Sequence, residues 1–117
     1  MAEMVTIKTI MPRREPFALI YAPAVKNHLR AIEAKYHSLI REKIQEQLRF
    51  NPDVETKNRK PLRQPATFDA EWEIRFGPDN RFRVLYGIEQ AEQQVLILAI
   101  GEKDRDRLIV GGEEIEL

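Results

Sequence analysis

Two arginines on neighbouring predicted strands are the residues of this sequence best suited to chemistry. Apolar and charged residues alternate along both segments, and the turn sequence Gly-Pro-Asp-Asn separates them. If Trp72 pairs with Tyr86 in this hairpin, then Arg75 pairs with Arg83. Both guanidinium groups then lie on the face away from the aromatic rings. Because a guanidinium offers two parallel donors that match phosphate oxygens, the pair predicts a phosphate clamp.

The arginine pair needs solvent screening or a counter-ion, because like charges directly opposite each other destabilise a sheet. A bound phosphate is one source of that negative charge. Glu71, Glu73 or an acidic residue of the tail is another, and would neutralise the arginines from within the chain. The spacing leaves these alternatives open.

A run of basic residues precedes the two strands. No acid interrupts the segment 57–63, which holds Lys57, Arg59, Lys60 and Arg63. Lys103 follows the last apolar strand, and Arg81 alternates with the aromatic residues in the same way as Arg83. If these elements converge, they form a local positive groove in a chain whose basic and acidic residues balance at 19 each. Alternatively, the segment 57–63 is a solvated surface loop.

The elements that position these residues are a helical hairpin and a sheet. A short apolar run at residues 17–21 predicts a buried strand. Apolar residues then recur at helical spacing from Val25 to Ile32 and again from Tyr36 to Leu48. Residues 95–100 are almost all apolar, which indicates a central strand that Gly101 ends. The predicted class is therefore α+β, with an N-terminal strand and a helical hairpin on one face of a mainly antiparallel sheet.

Length and composition narrow the class of protein further. A chain of 117 residues is the usual size of one domain, which we assign to residues 16–117, preceded by an arm at residues 1–15. Within that arm, Met4 to Ile10 has the alternation of a short strand. The chain has no cysteine and two histidines, so we expect no disulfide, no metal and no cofactor. His28 lies on the apolar stripe and is predicted to be packed, not catalytic. No stretch is long enough to cross a membrane, and we expect a cytoplasmic protein.

The order of elements and several short motifs resemble the RelE/ParE superfamily of bacterial toxin–antitoxin toxins. The resemblance covers about residues 17–108. Its motifs are Asn51-Pro52, Lys60-Pro61-Leu62, Trp72-Glu73-Ile74-Arg75, Arg83-Val84-Leu85-Tyr86 and Ile100-Gly101 followed by a charged run. Each motif is weak alone, and their order and spacing make the assignment specific.

The resemblance implies an activity. RelE-type members cut mRNA in the ribosomal A site without a metal, by attack of the ribose 2′-hydroxyl, and this chemistry needs a base, an acid and cations around the phosphate. By resemblance, the catalytic residues are Arg83, Arg75, Lys103 and Glu73. The residues that would hold the RNA backbone are Lys57, Arg59, Lys60, Arg63 and Arg81. Arg83→Ala would then abolish toxicity and spare the fold, because the side chain is expected outside the core.

Two departures from the RelE pattern favour other functions. Glu73 stands where the archetype has a lysine, and is either a base or a neutralising partner of the arginines. Ile109 stands where the archetype has a tyrosine that stacks on a base. ParE relatives share the fold, lack the nuclease residues and inhibit DNA gyrase, so gyrase inhibition is the alternative activity. A non-catalytic binding protein with the same fold is the third hypothesis.

The resemblance also implies a partner. Antitoxins of this superfamily commonly wrap the toxin with a helix and an extended segment. The apolar strand near residues 17–21 would offer such a segment an open edge. The acidic tail at residues 113–116 would instead cover the arginines from within the chain. A second copy of the chain is a further partner to consider, and an active nuclease would also bind the ribosome and mRNA.

Overall fold

The computed structural model describes residues 15–63 and 67–115. The predicted arm at residues 1–15, with its strand at Met4 to Ile10, lies outside the described residues apart from Glu15. Two α-helices and seven strands follow one another along the described chain. In chain order they are β1 (Ala18–Tyr21), α1 (Val25–Arg30), α2 (His37–Leu48), β2 (Arg59–Pro61), β3 (Trp72–Phe76), β4 (Phe82–Glu89), β5 (Gln94–Asp104), β6 (Arg107–Val110) and β7 (Glu113–Ile115).

The strands form one sheet built around the long strand β5. Strands β2 to β7 lie side by side in chain order, and each pair is antiparallel. One side of β5 pairs with β4. The other side is shared by β1, which runs parallel beside Gln94 to Ile97, and by β6, which pairs with Gly101 to Asp104. The predicted α+β class with a mainly antiparallel sheet is confirmed.

The helical hairpin covers one face of this sheet, and the predicted alternation is correct. The aromatic residues of β3 and β4 point toward the helices, and burying them together with the aliphatic residues of the helices favours folding on this side. The main core consists of Phe17, Val25, Ile32, Ile40, Ile44, Leu48, Ile74, Phe76, Phe82, Val84, Tyr86, Val95, Ile97 and Ile100.

His28 on α1 fills a gap in the hydrogen bonding of β5. Strand β1 pairs with β5 as far as Ile97, and β6 pairs with it from Gly101 onward. Between them, Nδ1 of His28 accepts the backbone N–H of Ile100 at 3.3 Å. Burial lowers the pKa of His28, which favours the neutral ring whose lone pair this bond requires. As predicted, this histidine is a packed residue.

The face away from the helices carries a second apolar cluster as well as the arginines. The segment before β3 folds over this face, and Phe68 lies on it with a left-handed φ of 72°. The buried members of the cluster are Ala70, Leu85, Ala99, Leu108 and Val110. Only part of the helix-free face is therefore available to the arginines.

The sequence predicted that Gly101 ends the central strand, and this prediction is wrong. Gly101 lies inside β5, opposite Val110 of β6. A Cβ atom at this position would lie 2.6 Å from the carbonyl oxygen of Ile109 and 2.8 Å from Cγ2 of Val110. The first of these atoms belongs to the backbone and cannot rotate away, so the glycine allows β6 to approach β5 closely.

Gly101→Ala is expected to lower the free energy of unfolding by about 1–3 kcal/mol, the usual cost of overpacking. The matched control is Gly87→Ala, whose added Cβ would meet nothing nearer than 3.4 Å. We expect that variant to change stability by less than about 0.5 kcal/mol. Urea unfolding of the two variants measures the difference, and equal losses would contradict the steric argument.

Candidate functional site

The register of β3 and β4 places two arginines directly opposite each other. Trp72 pairs with Tyr86 and Arg75 pairs with Arg83, as the alternation predicted. On the far side of β4, Arg83 is opposite Gly101 of β5. Lys103 lies two residues further along β5, and its position therefore belongs to the same face. The sheet thus brings three predicted catalytic positions onto the helix-free face.

The carboxylate of Glu73 bridges the two arginines. Nε of Arg75 donates a hydrogen bond of 2.8 Å to Oε1 of Glu73, and Nη1 of Arg83 lies 3.5 Å from Oε2. The side chain of Glu73 is 3% exposed and that of Arg83 is 11% exposed, whereas that of Arg75 is 42% exposed. Of the two alternatives left open by the sequence, the chain's own carboxylate therefore supplies the counter-ion.

The electrostatic balance of this Arg75–Glu73–Arg83 cluster is incomplete. Burial lowers the pKa of Arg83, the neighbouring Glu73 raises it, and the opposed Arg75 lowers it further. Oε2 of Glu73 is buried and makes no hydrogen bond. Nε of Arg83 donates to the carbonyl oxygen of Asn80 at 3.3 Å. Two guanidinium groups share one carboxylate, which leaves the cluster with one positive charge.

Arg81 lies on the helix side of the sheet, contrary to the predicted alternation. Its backbone is helical, with φ −61° and ψ −38°, because it ends the turn before β4. The pleat of β4 therefore does not determine the direction of the Arg81 side chain. Its guanidinium lies 4.9 Å from the centre of the Tyr36 ring, and its Nη2 is 2.7 Å from Oε2 of Glu102. The hydrogen bond to Glu102 raises the pKa of Arg81.

Lys103 shares the lining of two cavities with Arg81. A polar cavity of about 380 Å³ opens between two neighbouring turns, and its walls are Pro78, Asp79, Arg81, Lys103 and Arg105. A second cavity of about 370 Å³ is lined by Arg81, Glu102, Lys103, Asp104 and Ile109. Ile109, at the position of the archetype's tyrosine, thus lines a cavity with Lys103 but supplies no aromatic ring.

The basic segment 57–63 does not behave as one loop. Residues Arg59–Pro61 form the edge strand β2. Arg59 is buried, and its guanidinium donates to the carbonyl oxygens of Val54 and Gln47 and to the side-chain oxygen of Gln47. The Arg59 guanidinium therefore joins β2 to α2 and to Val54. It does not face solvent, as the side chain of an RNA-binding residue would.

The remaining basic residues of this segment are at the surface. Lys57 and Arg63 are exposed. Lys60 pairs with Glu55 at 3.2 Å and lies opposite Glu73 in the register of β2 and β3. The structure thus places Lys60 beside the Arg75–Glu73–Arg83 cluster.

The described part of the acidic tail, residues 113–115, does not cover the arginine pair; Glu116 lies outside the described residues. Residues Glu113–Ile115 form β7, which pairs with β6 at the opposite end of the sheet order from β3. Oε1 of Glu114 lies 3.3 Å from Nη1 of Arg107. The tail therefore neutralises an arginine outside the cluster.

Sequence reasoning named Glu73 as a possible neutralising partner of the arginines but did not choose between that role and a base; the i, i+2 spacing of Glu73 and Arg75, which places them on one face, was the available signal. It missed the burial of Arg59, for which the polar neighbours Asn58 and Lys60 give no signal.

Within residues 15–63 and 67–115, no group of three His, Cys, Asp or Glu side chains is placed to hold a metal ion. None of the helices in the same part of the chain is long and apolar enough to cross a membrane.

Comparison with known proteins identifies the family. The chain is similar to a crystal structure described as the toxin–antitoxin complex RelBE2 from Mycobacterium tuberculosis, with 20% identity and a TM-score of 0.60. The match covers 75% of this chain and 92% of that chain, and shows a common fold. Comparison with curated protein sequences gives no significant match. The family model described as the ParE toxin of the type II toxin–antitoxin system parDE matches residues 19–107. Since that match spans more than half of the chain, the chain belongs to the ParE toxin family of the RelE/ParE superfamily, as the toxin of a type II toxin–antitoxin system.

Proposed function

We propose that this toxin arrests growth by binding a protein target, with DNA gyrase as the target by similarity to ParE, and that it does not cut mRNA. The observation that carries the proposal is the buried Glu73 carboxylate between Arg75 and Arg83. A nuclease of this fold needs those cations for the crowded phosphate of the transition state. Here they already have an anionic partner within the chain.

The same contact argues against Glu73 as a general base. A base must come within hydrogen-bonding distance of the hydroxyl whose proton it takes. The side chain of Glu73 is 3% exposed, and its two oxygens face Arg75 and Arg83. Ile109 offers no ring on which a base would stack. The residues that RNA cleavage would require are therefore absent or occupied.

RNA cleavage is the second candidate, and one observation favours it. Arg75 and Arg83 are opposed in register on the helix-free face, and the side chain of Arg75 is 42% exposed. If incoming RNA displaced Glu73, these two arginines and Lys103 would face its phosphate. Cleavage would then require all three cations.

Arg75→Gln separates the two candidates. Under the proposal the folded variant keeps toxicity and gyrase inhibition, because binding of the protein target does not use Arg75; thermal unfolding of the same sample checks that loss of the bond to Glu73 has not unfolded the chain. The measurement combines a supercoiling assay with purified gyrase and mapping of transcript ends in cells that express the toxin. The control is Arg107→Gln, which removes another exposed arginine that is paired with carboxylates. New transcript ends that disappear in Arg75→Gln but persist in Arg107→Gln would overturn the proposal in favour of RNA cleavage.

We further propose that the antitoxin docks along β1 and the adjoining helical hairpin. In the described part of the chain, β1 forms its strand pairing only with β5, so its second edge is open. Ile20 and Tyr21 of β1 are 43% and 41% exposed. Beside them, a cavity of about 200 Å³ is lined by Tyr21, Leu29, His37, Ile40, Arg41, Ile44, Gln45 and Ile100. An extended segment would pair with the edge, and an apolar side chain would fill the cavity.

Ile20→Lys is expected to weaken antitoxin binding at least about tenfold, because a buried charge would replace an apolar contact at the interface. Toxicity in the absence of the antitoxin should not change. Val54→Lys is the control, since Val54 is also exposed, at 47%, but lies in the loop after α2 and not in β1. Affinity is measured by calorimetry with the cognate antitoxin. Equal affinity of the two variants would exclude β1 from the interface.

A further inference from the structure

We propose that residues 5–10 of the N-terminal arm pair as a strand with the open edge of β1 in the free toxin, and that the antitoxin displaces them. The occupant of the edge is thus the chain's own arm, which directly precedes β1 in the sequence. The placement of the arm is argued from the edge and from the residues of the arm. Its displacement by the antitoxin rests in addition on the docking site proposed above.

The open edge of β1 presents backbone groups that lack a partner. The N–H of Ala22, the residue after β1, donates to the carbonyl oxygen of Ile97 in β5 at 2.9 Å. Because backbone groups alternate in direction along a strand, those of Leu19 and Tyr21 point away from β5. In the described part of the chain, no backbone or side-chain group bonds to them there. Such an edge favours pairing with a further extended segment.

The residues of the arm are those of a strand. Five of the six residues Val5-Thr6-Ile7-Lys8-Thr9-Ile10 are branched at Cβ, which favours extended backbone. In a pairing that puts Ile7 on the same face as Tyr21, Ile10 lies on the other face, since side chains alternate. Ile20 is on that other face. Ile20 and Tyr21 are 43% and 41% exposed, so one register covers both with apolar residues.

The cavity beside β1 offers one face of the arm an apolar site. Tyr21 lines this cavity of about 200 Å³ together with Leu29, Ile40 and Ile44 of the helical hairpin. An arm residue opposite Tyr21 would therefore lie at the mouth of the cavity. Ile7 at this position would remove apolar surface of both partners from water, which stabilises the pairing.

The connection between the arm and β1 allows the chain to turn back. The N–H of Phe17 donates to the carbonyl oxygen of Arg49 at 2.6 Å, which fixes the point where the chain enters β1 beside the end of α2. Pro12 and Pro16 bar a continuous helix through the connection. Because the tether is short, the effective concentration of the arm at the edge is on the order of millimolar. Weak strand pairing is then enough to keep the edge occupied.

Disulfide cross-linking tests the pairing, because the chain has no cysteine of its own. One cysteine is placed on β1 as Tyr21→Cys or Ile20→Cys, and a second replaces each residue from 5 to 10 in turn. The rate of disulfide formation is measured after the reductant is removed. With Tyr21→Cys, odd-numbered arm positions should cross-link at least about tenfold faster than even-numbered ones, since only one face of a strand meets the required distance. With Ile20→Cys the preference should reverse.

The two series are matched controls for each other, because the arm and its reach are the same and only the face of β1 differs. Equal rates at odd and even positions would overturn the proposal, since the arm then passes the edge without pairing. Covalent dimers whose yield rises with protein concentration would also overturn it, because the occupant is then the arm of a second copy. Thermal unfolding of each reduced variant checks the fold. If one series does not fold, the presence or absence of alternation in the other decides.

The affinity for the antitoxin tests the displacement separately. The cross-linked Ile7→Cys, Tyr21→Cys chain should bind the cognate antitoxin at least about tenfold more weakly than the same chain after reduction, because the edge can no longer be vacated. Alternating cross-links with unchanged affinity would support the arm on β1 but overturn the displacement. In that case the antitoxin docks elsewhere, and the docking site proposed above fails while the placement of the arm stands.

Discussion

Arg83→Met is expected to destabilise the folded chain by about 3–5 kcal/mol, the usual cost of removing one partner from a buried ion pair. Glu73 is the reason. Its side chain is 3% exposed, and Arg83 is one of two cations that compensate its charge. Methionine fills much of the space of the arginine but leaves Oε2 beside an apolar group. Since the total stability of a domain is about 5–15 kcal/mol, such a loss is a large part of it.

The double variant Glu73→Gln, Arg83→Met tests this explanation. Removing both charges should recover more than half of the stability that Arg83→Met loses, because the buried carboxylate that lost one of its two cations is then gone. Thermal or urea unfolding gives both values. If the double variant loses as much free energy of unfolding as Glu73→Gln and Arg83→Met lose when their separate values are added, the cost of losing Arg83 comes from packing and not from Glu73.

This expectation corrects the one drawn from the sequence. The alternation along β4 correctly placed Arg83 outside the helix-facing core, and Arg83→Ala was therefore expected to spare the fold. However, the residue is only 9% exposed, because Glu73 and the turn at Asn80 enclose it. Loss of toxicity in an Arg83 variant would thus be uninformative about chemistry unless folding is measured in the same sample.

The parts of the site that follow from the period of a strand were predictable. The pairing of Arg75 with Arg83 depends on the alternation along two strands and on the turn between them. Arg81 was placed wrongly because it belongs to the turn, where the alternation does not apply. The prediction was therefore correct within the regular strand β4, which begins at Phe82, and wrong for Arg81, the residue just before it.

Features that depend on the meeting of distant segments were not predictable. The second apolar cluster exists because Phe68 folds over the sheet with an unusual positive φ, which no residue pattern signals. The choice between Glu71, Glu73 and the tail as the counter-ion depends on the geometry of side chains in three dimensions. The direction of Arg59 depends on where α2 ends relative to β2.

Arg59→Met is expected to lower the free energy of unfolding by about 2–3 kcal/mol, because hydrogen bonds from a charged donor contribute about 1.5–3 kcal/mol each. Three such bonds join Arg59 to the end of α2 and to Val54. They also place a positive charge at the C-terminal end of a helix, where the helix dipole favours it. The opposing effect is the cost of burying the guanidinium, whose Nε makes no hydrogen bond.

We expect Arg59→Met to destabilise the chain because the carbonyl oxygens of Gln47 and Val54 lose the hydrogen bonds that Arg59 donates to them. Arg59→Lys retains the charge but lacks the fork that reaches two segments at once, so it should recover only part of the loss. Lys57→Met, at an exposed position in the same segment, should change stability by less than about 0.5 kcal/mol. Urea unfolding of the three variants decides the sign. If Arg59→Met is as stable as the native chain or more so, burial of the guanidinium costs at least as much as its three bonds contribute.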